Sequence, residues 1–320
     1  MSSKSSRREF IAGLTAVAGS WAIPPAAFSS LEPLYPPMDL SHFDTPISAA
    51  PAEIKIGYAA ITWGGNDRRA IEDIAALGFS GIQLRSNLLS EFPNPTDVRN
   101  LLEQHHLTMV ALSSGGVRIE GSDDTSEIDR HVQNAKYTHS AGGLYLQVTD
   151  KKPKGSVNNG YKKLGRLLTE IGKRSADLGV RLGYHNHMGS MGQSPEEVDR
   201  VLDAADPRYV KLELDIAHYL QGGGDPAKAI QQYHDRLLFL HIKDVESTPN
   251  RDSADGNGFR FVELGRGRVD LPAVFKALQD VRYRGWAVVE LDSVPDPSRS
   301  PTESARISKN YLCERLGISI

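Results

Sequence analysis

From Ile54 to the C-terminus, short apolar runs alternate with longer amphipathic ones, and this alternation limits the fold more than any other feature of the chain. "IKIGYAAI", "GIQL", "LTMVALS", "LYLQV", "VRLGYHN", "YVKLELD", "LLFLHIK" and "GWAVVEL" are the short, near-continuous apolar runs of buried strands. Between and after them lie "DRRAIEDIAALG", "PTDVRNLLEQHH", "SEIDRHVQNAKYTHSAG", "YKKLGRLLTEIGKRSADLG", "SPEEVDRVLDAA", "DPAKAIQQYHD", "LPAVFKALQDV" and "SARISKNYLCERLG", all with helical periodicity. "SPEE" and "DP" put a capping side chain or a proline at helix starts, and Gly78, Gly142 and Gly179 stand where helices stop. Near-continuous apolar strands suit a parallel sheet covered by helices. Eight such units in about 250 residues predict an α/β fold, a single-domain (β/α)8 TIM barrel. An open doubly wound sheet would place a glycine fingerprint after the first strand, and "AAITWGGN" is not one.

The N-terminus has a different composition. "SSRREFIAGLTAVAGSWAIPPAAFSS" opens with Arg7 and Arg8, continues with an uncharged apolar run from Phe10 to Ile23, and ends in small residues and prolines. The run is too short to span a bilayer and has the layout of a cleavable signal. The arginine pair followed by Glu9, Phe10 and Ile11 resembles a twin-arginine (Tat) signal. The expected organisation is an export signal at 1–30, cleaved near Ala26 or Ala27, a Pro/Ser-rich linker at 31–52, and the barrel at 53–320. The expected location is periplasmic or otherwise exported, with the Tat machinery as a partner and no stable membrane span. One cysteine, Cys313, excludes an internal disulfide. A net charge of -3 without a long Lys/Arg run leaves no footprint for nucleic acid.

In a barrel of this kind chemistry gathers where the strands end. Here those ends carry Gln147, then His185 and His187, then Asp215 followed by His218, then His241 with Lys243 and Asp244, and last Glu290 with Asp292. Side chains alternate along a strand, so His185 and His187 share a side, as do Glu213 and Asp215. Imidazole and carboxylate groups converging from separate strands suit a divalent cation, and the absence of thiolates favours Mn2+, Co2+, Mg2+ or Zn2+. "LGYHNHMG" taken alone fits a buried histidine pair as well as a ligand pair. Lys243 and Asp244 equally suit a surface pair, Arg266 and Arg268 in "ELGRGRVD" suit solvated loop charges or substrate contacts, and 252–260 reads as a loop that suits a lid.

"YHNHMG", "LELDIAHYLQGGGDP", "LHIKDV", "ELGRGRVD" and "GWAVVELD", in that order, resemble the xylose isomerase-like TIM barrels, a superfamily with sugar epimerases, inosose dehydratases, 3-dehydroshikimate dehydratases and endonuclease IV. The resemblance covers Ile54 to the C-terminus and is greatest to the sugar phosphate isomerase/epimerase branch, near the inosose dehydratase-like proteins. It implies metal ligands at Asp215, His241 and Glu290. His185 falls where many relatives place a glutamate ligand, so the fourth ligand is His185, His187, Gln147 or water. His218 matches the histidine of the family's DxxH pattern, and Gln83 replaces a common glutamate.

These residues imply a metal that holds a carbonyl and an adjacent hydroxyl of a sugar or polyol, acidifying the neighbouring C–H. Proton abstraction then gives an enediolate, which leads either to isomerisation or epimerisation or to loss of a β-oxygen in a dehydratase or lyase. His187, His218 and Lys243 are the acid/base candidates, with Glu213 behind the ligands as a supporting or relay group. Gln147, Arg266 and Arg268 are the candidate substrate contacts. Export disfavours phosphorylated sugars, so a keto-sugar, keto-inositol or 3-keto-glycoside is the expected substrate. The acidic balance and the exported address both disfavour an endonuclease, and a sugar- or metal-binding protein without catalysis is the alternative. Oligomeric state is open from the sequence.

Overall fold

The structure, a computed structural model, describes residues 52–120, 123–155, 159–248 and 258–320. The expected signal (1–30) and all but the last residue of the expected linker lie outside the described residues. Eight strands close into a parallel barrel: β1 (Glu53–Ala59), β2 (Gly81–Arg85), β3 (Thr108–Val117), β4 (Tyr145–Asp150), β5 (Arg181–His185), β6 (Val210–Asp215), β7 (Leu237–Ile242) and β10 (Arg284–Val289), with β10 pairing to both β7 and β1. The outer layer is α1 (Asp67–Ala76), α2 (Leu88–Glu91), α3 (Pro95–Gln104), α4 (Asp124–Ser140), α5 (Gly160–Asp177), α6 (Pro195–Ala204), α7 (Ile216–Gln221), α8 (Pro226–Tyr233), α9 (Leu271–Asp280) and α10 (Pro301–Asn310). No described helix is long and apolar enough to cross a membrane.

The helix starts follow from the sequence. Ser194 and Ser300 form capping boxes with Glu197 and Glu303, each followed by a proline in the first turn, while Asp225 and Asp270 cap α8 and α9 with a side-chain oxygen.

One element departs from the eight-unit reading. Asp244 does not extend the seventh strand but opens an antiparallel hairpin, β8 (Asp244–Ser247) with β9 (Phe259–Val262), between β7 and α9. Two strands of four residues, separated by Gly- and Asp-rich sequence, give too little periodicity to be recognised without their partner. Of the expected lid, residues 252–257 lie outside the described residues.

The lower half of the barrel interior is filled by rings. Tyr145 stacks on Phe239 with centroids 5.4 Å apart, and Trp286 lies across the space over Gly81, where a Cβ would come within 2.4 Å of Trp286 Cζ3. Gly81 therefore lacks a side chain because the indole occupies its place. Lys55 and Arg181 sit over the Trp286 and Tyr145 rings at 5.9 and 5.0 Å, closing the N-terminal end with cations turned to water.

Candidate metal centre and active site

The opposite end is polar and buried. His185 is the last residue of β5, Asp215 the last of β6, His241 lies near the end of β7, and Glu290 directly follows β10. Parallel pairing sets His185 beside Glu213 and Asp215 beside His241, so the strand ladder brings these groups together. Asn186 ties the two strand ends, donating to the Asp215 carbonyl at 3.1 Å and accepting from its N–H at 2.9 Å.

Asp215 and His241 each have one end anchored and one end aimed into the site. Asp215 Oδ1 caps α7, accepting from Ala217 and His218 N–H at 2.9 Å each, which leaves Oδ2 without a hydrogen-bond partner. His241 Nε2 meets Gln83 Oε1 at 2.8 Å and Glu213 Oε1 at 2.7 Å. Its Nδ1 faces Glu290 Oε1 at 3.4 Å and Asp215 Oδ2 at 3.6 Å and has no hydrogen bond. His185 Nδ1 is likewise buried without a hydrogen-bond partner. Unpaired buried nitrogen and oxygen atoms are costly unless a ligand satisfies them. His185, Asp215 and His241 can offer donor atoms within 4.8 Å of one another, and His185, His187 and His218 form a second such trio. The donor set fits a divalent ion of the mixed N/O class, with Glu290 next to it.

The electrostatics agree with that fit. Burial opposes a charge on His241, yet Glu213 and Glu290 outweigh it and hold the imidazole well above its usual range. An ion held at Nδ1 would take the place of a proton there. Glu213 supports the histidine from behind, the common arrangement of a carboxylate on a metal-binding imidazole.

Lys243 is fully buried, which corrects the surface-pair reading. Its Nζ donates to Glu290 Oε1 at 2.9 Å and Asp292 Oδ1 at 2.6 Å. Burial works against its charge, but Asp292, Glu290 and Asp215 hold the ammonium above its usual range. The ammonium is thus held between carboxylates beside the site. Asp244 does not pair with it. Its carboxylate accepts from the N–H groups of Val245, Gly265, Gly267 and Val269 and gathers the loop 263–269 around itself. Gly267 is required there, since a Cβ would lie 2.2 Å from Asp244 Oδ1.

His187 and His218 stand beside His185, with ring centroids 5.5 and 5.9 Å from it. Phe261, from the unforeseen hairpin, meets the His218 ring at 4.9 Å and the Lys243 ammonium at 3.9 Å, forming a wall that no sequence signal marked. Gln147 is buried in β4 in register with Gly183, one layer below His185. Arg266 and Arg268 are not brought to the cluster. Arg266 lines a depression of about 510 Å3 with Glu246, Arg260, Glu263 and Arg299. Alternation along β9 turns Arg260 away from Phe261, so this depression lies behind the hairpin. Arg268 is exposed in another depression against Leu220 and Ala273.

The profile of the xylose isomerase-like TIM barrel family matches residues 71–313. The inosose dehydratase of Lacticaseibacillus casei is 27% identical over 299 residues, covering 83% of this chain and 98% of that protein. Among solved structures, the IolI protein with a bound zinc atom superposes with a TM-score of 0.71 at 19% identity, covering 83% of this chain and 100% of that one. The 3-keto-D-glucoside 4-epimerase YcjR from E. coli gives 0.65 at 17%, covering 82% and 100%. With the closed parallel barrel and a match over most of its length, this chain belongs to the xylose isomerase-like TIM barrel family.

Proposed function

We propose that this chain is a divalent-metal-dependent dehydratase of a non-phosphorylated keto-inositol or keto-sugar. The observation that carries the reading is that Asp215 Oδ2 and His241 Nδ1, both buried and without hydrogen-bond partners, face each other beside Glu290, where His185, Asp215 and His241 can offer donor atoms within 4.8 Å of one another. Resemblance to inosose dehydratases along nearly their whole length supports the substrate class. The Arg7–Arg8 pair supports export, where free rather than phosphorylated sugars are available. An ion held by His185, Asp215, His241 and Glu290 would polarise a substrate carbonyl and make the neighbouring C–H acidic. The chain's own groups supply the rest. His187 and His218 line one wall for proton handling, Lys243 places a fixed positive charge near developing negative charge, and Phe261 shields that wall from water.

Incubating the metal-loaded protein with inosose in D2O tests the reading. An enone product with loss of water is expected. Deuterium uptake at the carbon beside the ketone without loss of water would instead indicate an isomerase or epimerase. Absence of both exchange and product on keto-inositols and keto-sugars would overturn catalysis and leave a binding protein.

A further inference from the structure

One peptide group serves two histidines of the site in opposite senses. His187 Nδ1 lies 2.6 Å from the Met188 carbonyl oxygen, and the Met188 N–H points at His218 Nδ1 from 3.2 Å. A carbonyl oxygen only accepts and an amide N–H only donates. His187 Nδ1 therefore carries a hydrogen, and His218 Nδ1 carries a lone pair. In neutral imidazoles the remaining nitrogens take the converse roles, a lone pair on His187 Nε2 and an N–H on His218 Nε2.

The surroundings hold this arrangement in place. The His187 carbonyl accepts from Ser190 N–H at 3.1 Å and its hydroxyl at 2.8 Å, while Gly189, at φ 82°, turns the chain and donates to Gln193 Oε1 at 2.8 Å. The two rings are 3.8 Å apart and tilted by 39°, so they belong to one wall. His218 Nε2 is buried without a hydrogen-bond partner, 3.9 Å from Asp215 Oδ2.

We propose that the Met188 peptide fixes opposite tautomers in His187 and His218, making His187 the single base and His218 a neutral hydrogen-bond donor to a substrate oxygen, so that the proton leaves and returns on one face. The reaction assignment rests on the dehydratase reading above; the tautomer assignment does not. His187 Nε2 takes the proton from the carbon beside the ketone. The C–H electron pair becomes the C=C bond as the C–O bond to the β-hydroxyl breaks. The His187 imidazolium, still bonded through Nδ1–H to Met188, gives the same proton to the departing oxygen, which leaves as water. His218 keeps its proton throughout, because losing it would leave an imidazolate whose Nδ1 already accepts from Met188. Neutral histidine in triosephosphate isomerase, a known case, acts as an electrophile in the same sense. Inversion at carbon needs a second proton donor across the substrate, so a same-face elimination is the outcome this wall serves. The assignment also takes His218 out of the second histidine trio as a metal ligand, since neither of its nitrogens has a free lone pair.

The test is a ring nitrogen–proton correlation spectrum of the full chain labelled with 15N-histidine, with His187→Gln and His218→Gln used to assign signals. The expected result is a proton on Nε2 in His218 and on Nδ1 in His187. The same tautomer in both rings, or a doubly protonated His218, overturns the proposal. With inosose as substrate, His218→Gln, which still donates an N–H, is expected to retain turnover within about 10-fold, while His218→Phe loses about 100- to 1000-fold. His187→Gln is expected to lose about 100- to 10000-fold together with solvent exchange of the C–H. Equal losses for the two His218 variants count against the donor role. If no form turns over inosose, the dehydratase reading fails while the spectrum still decides the tautomers.

Discussion

At the N-terminal end of the barrel Trp286, Tyr145 and Phe239 fill the interior, whereas at the C-terminal end His185, Glu213, Asp215, His241 and Glu290 occupy five neighbouring positions on the same cylinder. The change is abrupt. Phe239 and His241 are two residues apart on β7 and share a face, and Trp286 and Glu290 are four apart at β10. The lower rings give close packing and a dry floor. Above that floor, carboxylates and imidazoles interact more strongly than they would in water, and their free atoms keep a high demand for a ligand. One end is built to be satisfied by itself, and the other is built to remain unsatisfied until something binds.

That contrast can be broken from either side. The largest effect is expected at the floor. Trp286→Ala should cost about 3–5 kcal/mol in denaturant unfolding while leaving metal stoichiometry unchanged. Gly81→Ala alone should cost about 1–3 kcal/mol, because its methyl would collide with the indole, and the double variant should cost less than the sum of the two. The upper end should respond in the opposite way. Glu213→Gln, which weakens the carboxylate behind His241, should reduce metal affinity by about 10- to 100-fold in a competition titration. A large loss of metal in Trp286→Ala with the fold retained would mean that the two ends are not separable.

Much of this was legible in the chain. Alternating strand and helix patterns located all eight barrel strands, and the polar residues at their ends named the groups that converge, because strand ends share one mouth whatever the helices do. Environment was less legible. Gln83 could be seen as a missing charge, but its bond to His241 depends on β2 and β7 facing each other across the barrel, 158 positions apart in sequence. Lys243 suited acid/base work or a surface pair with Asp244 equally well until Glu290 and Asp292 were placed around it. Arg266 and Arg268 in "ELGRGRVD" read as candidate substrate contacts, but the loop wraps around Asp244 and they line depressions away from the cluster. Phe261 carried no motif, and only the hairpin brings it to His218.

The central claim is that the unpaired atoms of His185, Asp215 and His241 form a site for one divalent ion. Elemental analysis of the purified protein, beside Asp215→Asn, tests it most directly. The amide oxygen of the variant can still cap α7, so the fold should survive the loss of the carboxylate charge. The account predicts about one Mn2+, Co2+, Mg2+ or Zn2+ per chain in the native protein and a small fraction of that in the variant. No divalent metal in the native protein, even after incubation with these ions, or equal metal in both forms, would contradict it.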